Sequence, residues 1–168
     1  MEPIRRKLLE LDAGERQSII QALELFASKV DGFGALPQSV IHGEFFGRNV
    51  VIRERSPDQM IAAVDWECAA IGPSYLDLAS VSAGNWSREQ KQAMWRTYFD
   101  RYQEATDIWL DWESFRQDVA GLALYQALAM LGWRLERNLL KHFDRWMREL
   151  EWAMHESQAS YPAMLGQE

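Results

Sequence analysis

Apolar positions recur at helical spacing over most of this chain and change to a strand-like run in one stretch only. From Ala13 to Lys29, Ile19, Leu23, Phe26 and the following Val30 form one predicted stripe, and Asp12 stands where a helix needs a capping acceptor. Gly32, Gly34 and Pro37 then predict a stop. Ser39 to His42 reads as a short strand. Beyond it, Asn49-Val50-Val51-Ile52-Arg53-Glu54 and Met60-Ile61-Ala62-Ala63-Val64-Asp65 read as two strands joined by a turn centred near Pro57. Pairing about that centre predicts Val50 opposite Val64 and Ile52 opposite Ala62, with Asn49 level with Asp65 at the open end.

Helical spacing returns after Ile71-Gly72-Pro73-Ser74, which reads as a turn with Ser74 as the cap of a short helix through Tyr75 and Ala79. Ser87 is placed to cap a helix carrying Met94, Trp95, Tyr98 and Tyr102. A long helix is expected from about Asp111 to Asn138. A last one, from about Leu140 to Ser157, presents Phe143, Trp146, Met147, Leu150 and Met154 on one face before a polar tail. The expected fold class is mainly α with a small β-hairpin, an α+β fold in a single domain spanning residues 1–168.

Composition narrows the function classes. With 48% apolar residues and eight Trp, the chain has the material for a packed core. Trp95, Trp109, Trp112, Trp133, Trp146 and Trp152 are expected there. A net charge of -7 leaves no basic footprint for nucleic acid, and an acidic surface suits a cationic small substrate. Cys68 is the sole cysteine, so neither an intramolecular disulfide nor a multi-cysteine zinc site is expected. The amino terminus lacks the apolar core of an export signal, and the expected location is cytoplasmic. The apolar tract Val119 to Leu135 is interrupted by Gln126, Gly132 and Arg134, so a buried helix is expected and no membrane span.

The chemistry concentrates at the predicted hairpin. Glu44, Asn49 and Asp65 would bring a carboxylate, a carboxamide and a second carboxylate to one end of it. Oxygen donors with few competing His or Cys suit a hard, partly hydrated cation such as Mg²⁺, the usual escort of nucleotide phosphates. The pattern is that of phosphoryl transfer, with one group to orient the attacking hydroxyl and others to neutralise phosphate charge. His42 reads as a structural hydrogen-bonding residue supporting the loop. Glu67 and Arg48 are placed to line the site. Asp77 has two readings, an anchor for backbone N–H groups of the loop or a helix-start acid favoured by the dipole.

His42-Gly43-Glu44-Phe45-Phe46-Gly47-Arg48-Asn49, then Val64-Asp65-Trp66-Glu67, then Gly72-Pro73-Ser74-Tyr75-Leu76-Asp77-Leu78-Ala79 resemble the aminoglycoside phosphotransferase and choline kinase-like family. The resemblance implies a protein kinase-like fold whose helical lobe carries catalysis. It also implies ATP or GTP as phosphate donor, Mg²⁺ as cofactor, and the hydroxyl of a small aminoglycoside-, choline- or sugar-like molecule as acceptor. It puts Glu44 on the catalytic acid, Asn49 and Asp65 on the metal ligands and Asp77 on the structural acid. The catalytic loop becomes residues 42–49, the metal-binding hairpin 49–67 and the helical substrate subdomain 74–157.

Two departures stand out. Glu44 occupies a position where the best-known members carry Asp, which moves the carboxylate by about one bond length, and a 1 Å misplacement can cost about a hundredfold in rate. Upstream of the motif there is no Gly-rich strand pair and no Lys on an apolar strand. The expectation is a C-terminal helical lobe with the nucleotide lobe missing, with a separate N-terminal lobe or self-association as partner. The competing reading is a non-catalytic fragment or pseudo-enzyme acting as a protein-binding helical module. Metal-dependent hydrolysis by Asp65 and Glu44 is a third and weaker reading.

Overall fold

The computed structural model describes residues 8–54, 59–106, 108–137, 139 and 141–159. Helix α1, Ala13–Lys29, begins with a complete capping box: Asp12 Oδ1 accepts from the Glu15 amide at 2.8 Å and Glu15 Oε2 accepts from the Asp12 amide at 3.3 Å. Its buried face is rotated from the predicted stripe. Ile19 and Ala22 are buried and Leu25 and Phe26 half-buried, whereas Leu23 and Val30 are exposed. The small Ala22 lets the helix close on its neighbours, and Val30 already belongs to the 3-10 turn Val30–Ala35, where α-helical spacing no longer applies.

Two antiparallel strand pairs follow. Strand β1, Gln38–Ile41, pairs with β4, Ala70–Pro73, in the register Val40 opposite Ile71 and Ile41 opposite Ala70. Most of the predicted turn at Ile71 to Ser74 is therefore strand. Pro73 is tolerated because it ends the strand, and Gly72 lets the Ile41 side chain lie close over it, where a Cβ would stand 2.8 Å from Cδ1 and make that side chain shift. Ser74 continues the pairing through its amide, which donates to Pro37 O at 2.9 Å, and its hydroxyl makes no cap to the next helix.

Strands β2, Val50–Glu54, and β3, Gln59–Ala63, form the hairpin, but one residue out of the predicted register. Val50 faces Ala63 and Ile52 faces Ile61. The closing pair Glu54–Gln59 leaves an even number of turn residues, so the centre falls between Ser56 and Pro57 instead of on Pro57. The turn itself, 55–58, lies outside the described residues. Asn49 is consequently level with Val64, whose amide donates to Asn49 O at 2.9 Å, and Asp65 stands one residue beyond the ladder.

The rest is helical: α2, Tyr75–Ser82; α3, Arg88–Thr106; α4, Trp112–Glu136; and α5, Phe143–Gln158. Helix α3 starts as expected at Ser87, whose amide donates to Gln90 Oε1 at 2.8 Å while its Oγ accepts from the Gln90 amide at 3.3 Å. Asp111 caps α4 by accepting from the Ser114 amide at 2.8 Å. The expected helix ends at Asn138 and Leu140 lie outside the described residues. Helix α4 is the axis of the molecule, with α1, α2, α3 and α5 packed on it. That is why the tract from Val119 to Leu135 is so apolar: Val119, Ala120, Leu124 and Leu131 are all buried against other helices. No helix of the described residues is long and apolar enough to cross a membrane.

The tryptophans divide. Trp95 and Trp146 are buried and Trp112 and Trp152 half-buried in the core, but Trp109 is 80% exposed and Trp133 is exposed on the outer side of α4. Trp109 sits in the non-helical segment before α4, where no helix face directs it inward. Burying Trp95 requires a partner for its indole N–H. Ser82 Oγ supplies it at 2.9 Å and passes its own proton to Leu78 O at 2.8 Å.

Charges are also buried, each with a partner. Lys91 on α3 bonds Glu149 on α5, whose other oxygen accepts from the Gly84 amide at 3.1 Å. Glu156, fully buried, takes Arg116 Nη1 from α4 at 3.1 Å and Arg88 Nη2 from the start of α3 at 2.7 Å. Two ion-pair staples therefore hold α3 and α4 to α5.

Glu156→Gln should lower unfolding stability by about 1–3 kcal/mol, chiefly because the buried Arg116 loses one of two carboxylate partners among the described residues, Glu113 being the other, while Arg88 is partly exposed and screened by solvent. Urea unfolding would show this as a lower midpoint with unchanged slope, and an unchanged midpoint would mean the staple contributes nothing net. Tyr75 generates a second expectation. Burial first, then Tyr102, Tyr98 and Asp118, push its hydroxyl up to about 12 from 10.0. Between those values the unfolded chain has lost the proton that the folded chain keeps, so stability falls as pH rises through that window. Tyr75→Phe should show a shallower fall in melting temperature across the same window, and an identical slope would refute the assignment. Some slope should remain, since burial raises Tyr98 in the same direction.

Candidate active site

The loop between β1 and β2 is tied down at both ends by hydrogen bonds to side chains distant in sequence. The carboxylate of Asp77, in the first turn of α2, accepts from the His42 amide at 2.6 Å and from the Gly43 amide at 3.1 Å. His42 is buried, and its ring joins two segments: Nδ1 accepts from the Glu44 amide at 3.3 Å and Nε2 faces Val64 O at 2.8 Å. Since Nδ1 is an acceptor, the ring is neutral with its proton on Nε2, donated to the Val64 carbonyl. Trp66 lies on the same ring at 4.7 Å between centroids.

Gly43 has φ +79, and a Cβ on it would stand 2.4 Å from Cys68 O. Only glycine allows this approach of the loop to the turn after Asp65. On the far side, Phe46 is buried in the helical core against Trp146, with ring centroids 6.2 Å apart. The loop thus has one face anchored in the core and the other pressed on the 3-10 turn Trp66–Cys68.

Glu44 lies between these anchors. Its carboxylate is partly exposed and accepts from Arg48 Nη2 at 3.2 Å, and the Arg48 guanidinium lies 4.5 Å from the centroid of the Phe46 ring. Asn49 is buried at the end of the short turn Gly47–Asn49; its amide donates to Phe46 O at 2.8 Å and its Nδ2 to Glu44 O at 2.9 Å. With Nδ2 committed, the oxygen Oδ1 is the end of the amide suited to a cation. Asp65 adopts the left-handed conformation, φ 70 and ψ 58, rare for a residue with a side chain. Its carboxylate is exposed and makes no cap to the turn that follows it. Strain of this kind, of order 1–3 kcal/mol, persists where the surrounding bonds impose it, here the two peptide units before Asp65, held by the Val64 amide on Asn49 O and the Val64 carbonyl on His42 Nε2.

The structure therefore brings Glu44, Asn49 and Asp65 to one end of the hairpin through backbone contacts: Asn49 bonds the carbonyl of Glu44 and pairs with Val64, the residue before Asp65. Glu67 is exposed on the adjoining turn. Cys68 is exposed and not the packing residue its apolar character suggests; partial desolvation, then the negative charges of Glu44, Glu67 and Asp65, raise its thiol, which disfavours a nucleophile. Among the described residues no three His, Cys, Asp or Glu side chains stand together as a metal cluster. The donors on offer are one carboxamide oxygen and one carboxylate. That set fits Mg²⁺, which keeps several waters and takes the remaining positions from phosphate oxygens.

Sequence reading passed over three positioning features: Gly43 as the point of closest approach, Phe46 as the core anchor and Trp66 as the cover on His42. A Gly between a His and an acid was the one visible hint of the first. The other two are aromatic residues whose direction depends on the fold.

Comparison with known proteins gives one result. Residues 2–117 match the profile of the phosphotransferase enzyme family. No curated protein and no solved structure matches the chain. The matched stretch is more than half of the 168 residues and includes His42, Glu44, Asn49, Asp65 and Asp77. The chain belongs to the phosphotransferase enzyme family, in keeping with the aminoglycoside phosphotransferase-like motifs at its hairpin.

Proposed function

We propose that this chain transfers the γ-phosphoryl group of ATP or GTP to a hydroxyl of a small molecule, and that it is the helical lobe of a protein kinase-like fold. The observation that carries this reading is the His42 bridge, which fixes the Glu44 amide and the carbonyl before Asp65 to one imidazole. Glu44 is the group that orients the acceptor hydroxyl and takes its proton. Asn49 Oδ1 and the Asp65 carboxylate hold Mg²⁺, which neutralises charge on the β- and γ-phosphates when bound. Asp77 and His42 are positioning residues, since they act by holding backbone groups of the loop. Arg48, by pairing with Glu44, steadies its carboxylate until an acceptor arrives, and Glu67 lines the rim.

The nucleotide lobe would be supplied by a separate segment or chain. One observation favours a second reading, a non-catalytic module that binds protein: Val40, Ile71, Ile52, Ile61 and Met60 on the two strand pairs are all more than half exposed.

Asp65→Ala separates the two. In the phosphotransferase reading, Mg²⁺-dependent nucleotide turnover, with any upstream β lobe present, should fall about a hundredfold or more, as when a group acting on transition-state charge is removed. Equal turnover in wild type and variant would end that reading. Calorimetry showing no Mg²⁺-dependent nucleotide binding, together with self-association in sedimentation, would favour the protein-binding module.

A further inference from the structure

The long acid at position 44 has a partner matched to its length. Arg48 Nη2 donates to Glu44 Oε2 at 3.2 Å. The guanidinium has a second support: it lies 4.5 Å from the centroid of the Phe46 ring, and Phe46 is buried edge-on against the buried Trp146 of α5, with ring centroids 6.2 Å apart. Arg48 is thus placed from the core, through two aromatic rings.

The backbone at both ends of the pair is fixed as well. Glu44 O accepts from the Phe46 amide at 2.7 Å and from Asn49 Nδ2 at 2.9 Å, and the Asn49 amide closes the turn Gly47–Asn49 on Phe46 O at 2.8 Å. These bonds hold residues 44 and 48 at a set separation. With aspartate at position 44 the carboxylate would draw back by about one bond length, out of hydrogen-bond range of the guanidinium stacked on Phe46. The pair is partly exposed, and a screened charge attraction is too weak to pull Arg48 off that ring.

We propose that Arg48, seated on Phe46 and through it on Trp146, is the positioning residue that makes glutamate the working acid of this loop, so that the length of residue 44 and the stack under Arg48 form one matched set. This deepens the phosphotransferase reading and rests on it. Oε2 rests on Arg48 and Oε1 is left for the acceptor hydroxyl. Because solvent screens the pair, the carboxylate can shift from one partner to the other as it takes the hydroxyl proton, while the guanidinium stays on its ring. Aspartate, the acid of the best-known family members, is then a loss in this chain and not a repair.

Two measurements test the matched set. In NMR spectra of the full chain without nucleotide, the Arg48 side-chain protons should carry the upfield ring-current shift of a group lying over Phe46, and Glu44→Asp should keep it. Absence of that shift in either protein would overturn the fixed partner. In Mg²⁺–ATP turnover with any upstream β lobe present, Glu44→Asp should lower kcat about a hundredfold and Arg48→Ala about tenfold, both at unchanged KM, and the double variant should be no slower than Glu44→Asp alone. Thermal melting checks that the variants fold, and both positions are partly exposed. Losses that multiply in the double variant would mean that Arg48 acts on its own, as on a phosphate, and would overturn the proposal, as would full activity of Glu44→Asp. Failure of the phosphotransferase reading itself would appear differently, as a wild type with the ring-current shift and no turnover, and would take the proposal with it.

Discussion

Two hydrogen bonds from one carboxylate set the geometry of the site. Asp77 is fixed to the core by its own helix, where Tyr75, Leu78 and Ala79 are buried, and it holds the consecutive amides of His42 and Gly43. Consecutive amides pointing at one acceptor force the chain to turn sharply after β1, and Gly43 makes that turn with a positive φ. Glu44, Phe46 and Asn49 take their positions from this turn. Without the carboxylate the two amides would face a partly buried space with no acceptor, a cost of about 1–3 kcal/mol each, and the loop would leave the turn after Asp65.

How much of this could be read from the chain depends on the kind of signal. The capped helices could be, because caps are local: Asp12, Ser87 and Asp111 each bond an amide three residues on, and sequence spacing contains that information. Hairpin register could not, because a single residue in the turn decides it and Val51, Ile52, Met60 and Ile61 are exposed on both faces, so no buried face specifies the pairing. The strand at Ala70–Pro73 was hidden for a different reason. Gly72 and Pro73 are turn residues by propensity, and only pairing with Gln38–Ile41 makes them strand. Asp77 was legible as a pair of alternatives, and its partners lie 34 and 35 residues away.

The slip in register also changes what kind of site the hairpin makes. In the predicted pairing Asn49 and Asp65 would be cross-strand neighbours held by the ladder. In the structure Asn49 is buried and locked by its Nδ2, while Asp65 lies outside the ladder with an exposed carboxylate and a strained backbone. One donor is rigid and the other accessible. In the proposed phosphotransferase, Mg²⁺ would meet one fixed oxygen at Asn49 and one accessible carboxylate at Asp65.

Charge placement follows the same division between core and site. Inside, Lys91, Arg116 and Glu156 meet their counterions directly and serve to fasten helices. At the loop, the Glu44–Arg48 pair is partly exposed, where solvent screening leaves it free to exchange partners.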